Sequence, residues 1–226
     1  MEHLRVYKPE CPKVRLGRPH DGGYIICELP NSQYDICLSG GVCDDMSFEE
    51  DIVAKYGLEC VCFDGSINAL PNPQADKRIS FVKKYLGDHD DDATTTLRSY
   101  FDTYENIFMK MDIEGGEDAL FSALTDVDLT KIKQLVIEFH TAHQFTIPNR
   151  LSQTHWLVHF HGNNYAGTTS VNDVIVPDVF ECTYIRKNET NQLPYNTDPI
   201  PNPSLDQRNS LCNEDIVLSG PPFVHQ

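Results

Sequence analysis

The stretch YDICLSGGVCDDMSFEEDIVAKYGLECVCFDGS, residues 34–66, carries a strand, a turn, a helix and a second strand in that order. YDICL is a β-forming run that ends at Ser39-Gly40-Gly41, where two glycines allow the backbone to approach a ligand closely. SFEEDIVAKYG follows as an amphipathic helix, with Ser47 placed as N-cap, Glu50 closing a capping box and Gly57 as the stop. LECVCFDGS is the next strand, ending at Asp64-Gly65-Ser66. Two strands joined through a helix must run parallel, so this stretch predicts an α/β protein.

The same alternation continues outward. RISFVKKYLG, NIFMKMDIEGGE, QLVIEFH, HWLVHFHGNNY and VFECTYIRK read as further strands, and TTTLRSYFDTY and EDALFSAL as helices. The last two strands lack a helix between them, which predicts an antiparallel, hairpin-like pair at one edge. Residues 1–187 form the expected domain. Residues 188–226 are expected to be an irregular strap packed on it, because NETNQLPYNTDPIPNPSLDQRNSLCN is rich in Pro and Asn without periodicity; EDIVL (214–218) is a candidate short edge strand.

The chain has 226 residues, 40% hydrophobic and 23% charged, with a formal net charge of −16. That charge argues against a nucleic-acid partner, which calls for clustered Lys and Arg, and favours a neutral acceptor. No apolar run nears the roughly 20 residues needed to cross a bilayer. Met1 to Lys8 lacks a signal-peptide core, so the expectation is a cytoplasmic protein without a membrane partner. Cys60 and Cys62 share a strand face and read as small buried hydrophobes, not as zinc ligands.

In open α/β sheets, ligands bind at the carboxyl ends of the strands near the topological switch point. Ser39, Gly40 and Gly41 stand at one such end. Asp64 lies 24 positions beyond Gly40, close to the spacing of about 20 at which an acid reaches a ribose. Gly65 and Ser66 adjoin it, and Gly87 and Asp88 close the third strand at the expected adenine edge. A third glycine for pyrophosphate packing is missing, which disfavours a dinucleotide.

Polar residues gather at the ends of the next three strands: Asp112 and Glu114, then Glu138 and His140 with His143 beyond, then His159, His161, Asn163 and Asn164. Residues two apart on a strand share a face, so Glu138 points with His140, and His159 with His161. The plainer readings are Glu114 as a helix cap, His159 as a satisfied core histidine and Trp156 as core.

Several of these stretches carry a family resemblance: RLGRPHDGGYII (15–26), SGGVCDDMSFEEDI (39–52), CFDGS (62–66), KMDIEGGED (110–118), VIEFH (136–140), HFHGNNY (159–165) and VFECTYIRK (179–187). The chain resembles the FkbM-like class I methyltransferases, and is similar to sugar methyltransferases of large algal DNA viruses. The resemblance implies a Rossmann-like, mostly parallel seven-stranded sheet with an antiparallel terminal strand. It also implies S-adenosylmethionine as cofactor, with Tyr24 among its contacts, and O-methylation of a sugar hydroxyl, such as that of a deoxysugar like rhamnose in a glycan. Two mechanisms are open. His140 or His161 acts as general base with Asp112 orienting it, or Asp112, Glu138 and His161 hold Mg²⁺ or Mn²⁺. The competing functions are a nicotinamide-dependent oxidoreductase and a non-catalytic glycan-binding module.

Overall fold

A computed structural model describes residues 1–140, 145–190 and 192–225. In chain order the strands and helices are β1 (Lys13–Leu16), β2 (Tyr24–Cys27), β3 (Ile36–Gly40), α1 (Ser47–Tyr56), β4 (Cys60–Phe63), β5 (Ile79–Val82), β6 (Tyr85–Leu86), β7 (Thr94–Thr95), α2 (Arg98–Thr103), β8 (Ile107–Met111), α3 (Glu117–Ala123), α4 (Asp126–Lys131), β9 (Ile132–Phe139), α5 (Thr146–Thr154), β10 (His155–Gly162), β11 (Thr168–Val171), β12 (Val174–Pro177) and β13 (Phe180–Arg186). Among the described residues, no helix is long and apolar enough to cross a membrane.

The central sheet has seven strands in the order β10-β13-β9-β8-β3-β4-β5. The pairs β3/β4, β4/β5, β3/β8 and β8/β9 are parallel. The chain winds one way from β3 through β4 to β5 and the other way from β8 to β9, so the switch point lies between β3 and β8. This is a mixed α/β, Rossmann-like arrangement.

The expected antiparallel pair forms at one edge of the sheet, as β10 and β13. β13 is antiparallel to both β9 and β10 and lies between them, leaving β10 as the edge. Phe180 through Ile185 are all buried, as an interior strand requires. The connection from β10 to β13 contains the β11–β12 hairpin, which residues 165–178 had not signalled. The exposed edge of β10 is covered by the N-terminal segment: the Tyr7 N–H donates to Leu157 O at 2.8 Å, which removes a row of unpaired backbone groups.

Strand alternation splits the sheet into two chemically different faces. Leu38, Val61, Phe63, Met109, Met111, Leu135, Ile137, Phe139 and Phe160 belong to a large apolar cluster on one face. The other face carries Cys37, Cys60, Cys62, Phe108 and Val136, packed against Phe48, Ile52 and Val53 of α1 and Tyr24 and Ile26 of β2. Ser39, Lys110, Glu138, His140, His159 and His161 share parity with this second set, so the polar residues of the strand ends all project to the face under α1, the β1–β2 hairpin and the C-terminal segment.

Local capping differs from the expectation at α1. The helix starts at Ser47, with Met46 at the N-cap position and no side-chain cap bond. Asp45 receives the Ser47 N–H at 3.3 Å and hydroxyl at 2.8 Å, while Glu50 accepts from Asn72 at 2.6 Å. Gly57 does end the helix, at φ 69°. EDIVL contributes a single bridge, Leu218 to Ile200, and no strand. Cys60 and Cys62 are fully buried.

Candidate functional site

A cavity of about 620 Å³ opens at the switch point, where β3, β4 and β8 end. That is within the size range of ligand sites. Its lining includes Tyr24, Gly41, Asp64, Gly65, Ser66 and Asp112, which unites six of the residues singled out in the sequence.

Gly41 has φ 77°, and a Cβ there would stand 1.6 Å from the Asp112 carbonyl oxygen. Only glycine fits where this turn meets the end of β8. The turn is also held from beneath: Lys110 Nζ donates to the carbonyls of Gly41 and Gly40, the latter at 3.4 Å. The Lys110 ammonium lies 5.3 Å from the centre of the Tyr24 ring. Ser39 is fully buried and donates to Glu49, whose pKa burial raises. Ser39 therefore belongs to the floor, not to the lining. Gly40 is likewise outside the lining, with Leu86 and Ile113 packed against it.

Asp64 is a hub. Its Oδ2 accepts the N–H groups of Val42 at 3.1 Å and Cys43 at 2.8 Å. Its Oδ1 accepts the Ser66 N–H at 2.8 Å and hydroxyl at 2.6 Å. Burial pushes its pKa up, but the bonds from Ser66, Cys43 and Val42 outweigh that and hold it below the usual value. Four donors fill the carboxylate's acceptor sites. A ribose hydroxyl reaches Asp64 only by displacing the Ser66 hydroxyl, the one bond here not made by backbone.

The assignment of Gly87 and Asp88 to the adenine edge does not hold. β5 ends at Val82, earlier than the run RISFVKKYLG suggests, and the cavity wall is Lys84, Tyr85 and Leu86. Gly87 has by then entered the β6–β7 pairing, with its N–H on Thr95 O at 3.0 Å. Asp88 is exposed, outside the cavity lining, and pairs with His89 at 2.7 Å. The Tyr85 ring rests against Gly65, where a Cβ would come within 2.4 Å of it.

On the far wall, Tyr24 donates its hydroxyl to Asp112 Oδ2 at 2.6 Å. Burial comes first and the nearby Asp112, Glu138 and Glu181 second in raising the Tyr24 pKa well above 10, so it stays a donor. Asp112 Oδ1 is buried without a hydrogen-bond partner. Behind Asp112, outside the residues that line the cavity, His140 is ringed by acids: Nδ1 is 3.0 Å from Glu117, and Nε2 is 3.3 Å from Glu114, 3.8 Å from Asp112 and 3.9 Å from Glu138. Burial lowers its pKa, but the Glu117 bond and the charges of Glu138, Glu117 and Asp112 lift it to about 9. Glu138 accepts from Asn163 at 2.6 Å, and its pKa rises, first through burial and then through Asp112 and Glu181.

The expected set Asp112, Glu138 and His161 is not brought together. His161 projects from β10, beyond the interposed β13, and its Nε2 meets Asp215 Oδ1 at 3.1 Å while Nδ1 stands 3.7 Å from Glu181. Those acids raise its pKa to about 10 against the opposing effect of burial. His161 is an anchor for the C-terminal segment and has no place beside Asp112. The group whose ligand atoms lie within 4.8 Å of one another is Asp112, Glu114 and His140. Glu114 is thus no helix cap: it sits at φ 54° with its carboxylate turned to His140, and Glu117 occupies the first turn of α3.

His159 is satisfied in the interior by Asp206 at 2.7 Å. Asn164 holds the carbonyls of Ser210 and Asn213 at 2.9 and 3.0 Å, and Asn209 donates to Glu181 at 2.7 Å. The C-terminal segment is tied to the polar face at each of these points. Trp156 is half-buried, against Tyr7 and Lys187. His143 lies outside the described residues. The sequence reading missed Arg18, Asp21 and Tyr85 as lining and Glu117 as the partner of His140; the first two fall within RLGRPHDGGYII, a stretch singled out only for its family resemblance.

No family model matches the chain, and no curated protein or solved structure is significantly similar to it.

Proposed function

We propose that the chain is a class I S-adenosylmethionine-dependent O-methyltransferase acting on a sugar hydroxyl. The observation that carries this reading is the charge and placement of the cavity. It lies at the switch point, and Asp21, Asp44, Asp45, Glu49, Asp64, Asp112 and Glu114 line it against Arg18, Lys84 and Lys110. A sulfonium with an ammonium group suits that surplus of carboxylates; the pyrophosphate of a nicotinamide dinucleotide does not. The antiparallel last strand of the central sheet agrees with the methyltransferase architecture.

When bound, the cofactor supplies an electrophilic methyl carbon. Gly41 lets the backbone approach it, and Asp64 holds the loops that frame it. At the far wall the reacting O–H gives its proton to His140 Nε2 in its neutral form, with Nδ1 held by Glu117, while a neighbouring hydroxyl of the acceptor donates to the unpartnered Asp112 Oδ1. The cofactor would supply the methyl group to the acceptor oxygen and would keep the electron pair of the broken carbon–sulfur bond as a neutral thioether. A pKa of about 9 leaves His140 mostly protonated at pH 7. Positive charge entering the cavity favours its neutral, basic form. Asp112, Glu114 and His140 offer O, O and N ligands that suit Mn²⁺ or Mg²⁺, which would lower the acceptor's pKa.

The test is thermal unfolding with S-adenosylhomocysteine, with and without EDTA or Mn²⁺. A ligand of the native state raises stability by about 2.7 kcal/mol at a hundred times its Kd. An upward shift is expected. No shift at saturation counts against the reading, and a further metal-dependent shift favours the cation over the lone base.

A further inference from the structure

The cations around the cavity already have partners. Arg18 Nε donates to Asp21 O at 2.7 Å. The same guanidinium faces the carboxylates of Asp45 at 3.6 Å, Asp44 at 3.9 Å and Asp21 at 4.0 Å. Lys84 Nζ donates to the Asp91 carbonyl, and Lys110 is buried under the glycine turn, donating to Gly40 and Gly41. At the rim, the Asp44 and Glu114 side chains are 81% and 86% exposed. Among the described residues, a phosphate entering here meets seven lining carboxylates against three cations.

The far wall makes an independent demand. Asp112 Oδ1 is buried without a donor. A carboxylate oxygen is satisfied by an N–H or O–H donor or by a cation. A hydroxyl supplies that donor, whereas an ionised phosphate or carboxylate offers only acceptors and adds repulsion. Both observations select the same chemistry from different parts of the site.

We propose that the acceptor enters this cavity free of phosphate and carboxylate groups, so that the sugar is methylated as a free or glycosidically linked hydroxyl compound and not as a nucleoside diphosphate sugar. This rests on the methyltransferase reading for the reaction, but the charge selection belongs to the cavity itself. Nucleotide-linked sugars are rejected by charge, and the rejection weakens as salt screens the rim, whose Debye length is about 10 Å at 0.1 M.

The experiment is binding of UDP-glucose and dTDP-rhamnose by ligand-observed NMR, at low and high salt, with and without S-adenosylhomocysteine. A double variant, Asp21→Lys with Asp44→Lys, is measured beside the wild type. Both substitutions fall on the rim, and intact folding is checked by circular dichroism. The wild type is expected to show no saturable binding up to about 10 mM, and the double variant to gain at least about tenfold in affinity at low salt. Saturable wild-type binding below about 1 mM, or methyl transfer to either nucleotide sugar, overturns the proposal. So does a folded double variant that gains nothing, because charge is then not what excludes these compounds. S-adenosylhomocysteine binding is read in the same samples. Its absence defeats the methyltransferase reading while the charge selection of the cavity is still measured.

Discussion

The two ends of the cavity handle polar groups in opposite ways. At the Asp64 end every acceptor is occupied: four local donors, three of them backbone N–H groups, close on one carboxylate. At the Asp112 end acceptors are in surplus, with four carboxylates around His140 and one buried oxygen left without a donor. A saturated group fixes geometry. An unsaturated buried group carries a desolvation penalty until something binds. The Asp64 end is therefore a preset frame, and the Asp112 end keeps a buried acceptor open to a donor or a cation.

The largest expected effect follows from the unsaturated end. His140→Ala should lower methyl transfer by about 10²–10⁴-fold while leaving S-adenosylhomocysteine affinity near that of the wild type. Transfer of labelled methyl and calorimetric titration on the same preparation check this. Equal losses in both would mean that the two ends are not separable.

The frame is tested by Gly41→Ala. Its Cβ cannot coexist with the Asp112 carbonyl 1.6 Å away, so the turn must move. The expected outcome is loss of cofactor binding and a stability loss of about 1–3 kcal/mol in urea unfolding. Retained binding would show that the turn is not where the cofactor sits.

A smaller effect sharpens the contrast further along the sheet. Burial lowers the His159 pKa while Asp206 pulls the other way, and the Nε2–H donates to Asp206 at 2.7 Å. Burial opposes ionisation of Asp206, but His159 and the Asn202 N–H, at 2.6 Å, bring its pKa down to about 2 from the ordinary 3.8. A carboxylate depressed in the folded state stabilises above its unfolded pKa, and that stability disappears as pH falls from about 4 through about 2. The contribution is about 1–2 kcal/mol. Asp206→Asn should remove this acid-dependent step from unfolding curves and leave cofactor affinity unchanged. An effect on binding instead would make the C-terminal segment part of the site.

Much of this site can be read from the residues alone. Parity on a strand places Glu138 with His140, and the glycine turn and Asp64 mark two neighbouring strand ends. Other features depend on contacts between distant segments. Gly87 and Asp88 lie outside the cavity lining because the chain turns after Val82, at a point that the apolar run passes through without a break. His161 has the same residue type and strand-end position as His140. Its partners, Glu181 and Asp215, come from an inserted strand and from a segment without periodicity.

The sequence by itself determined the βαβ alternation, the strand faces and the residue types at the strand ends, because these follow from local periodicity and backbone chemistry. Only the tertiary structure decided that β13 enters between β9 and β10, that Glu114 turns to His140, and that His161 is given to the C-terminal segment. Each of those outcomes is a choice among buried polar partners far apart in the chain, settled by which carboxylate can reach which imidazole once the sheet has closed.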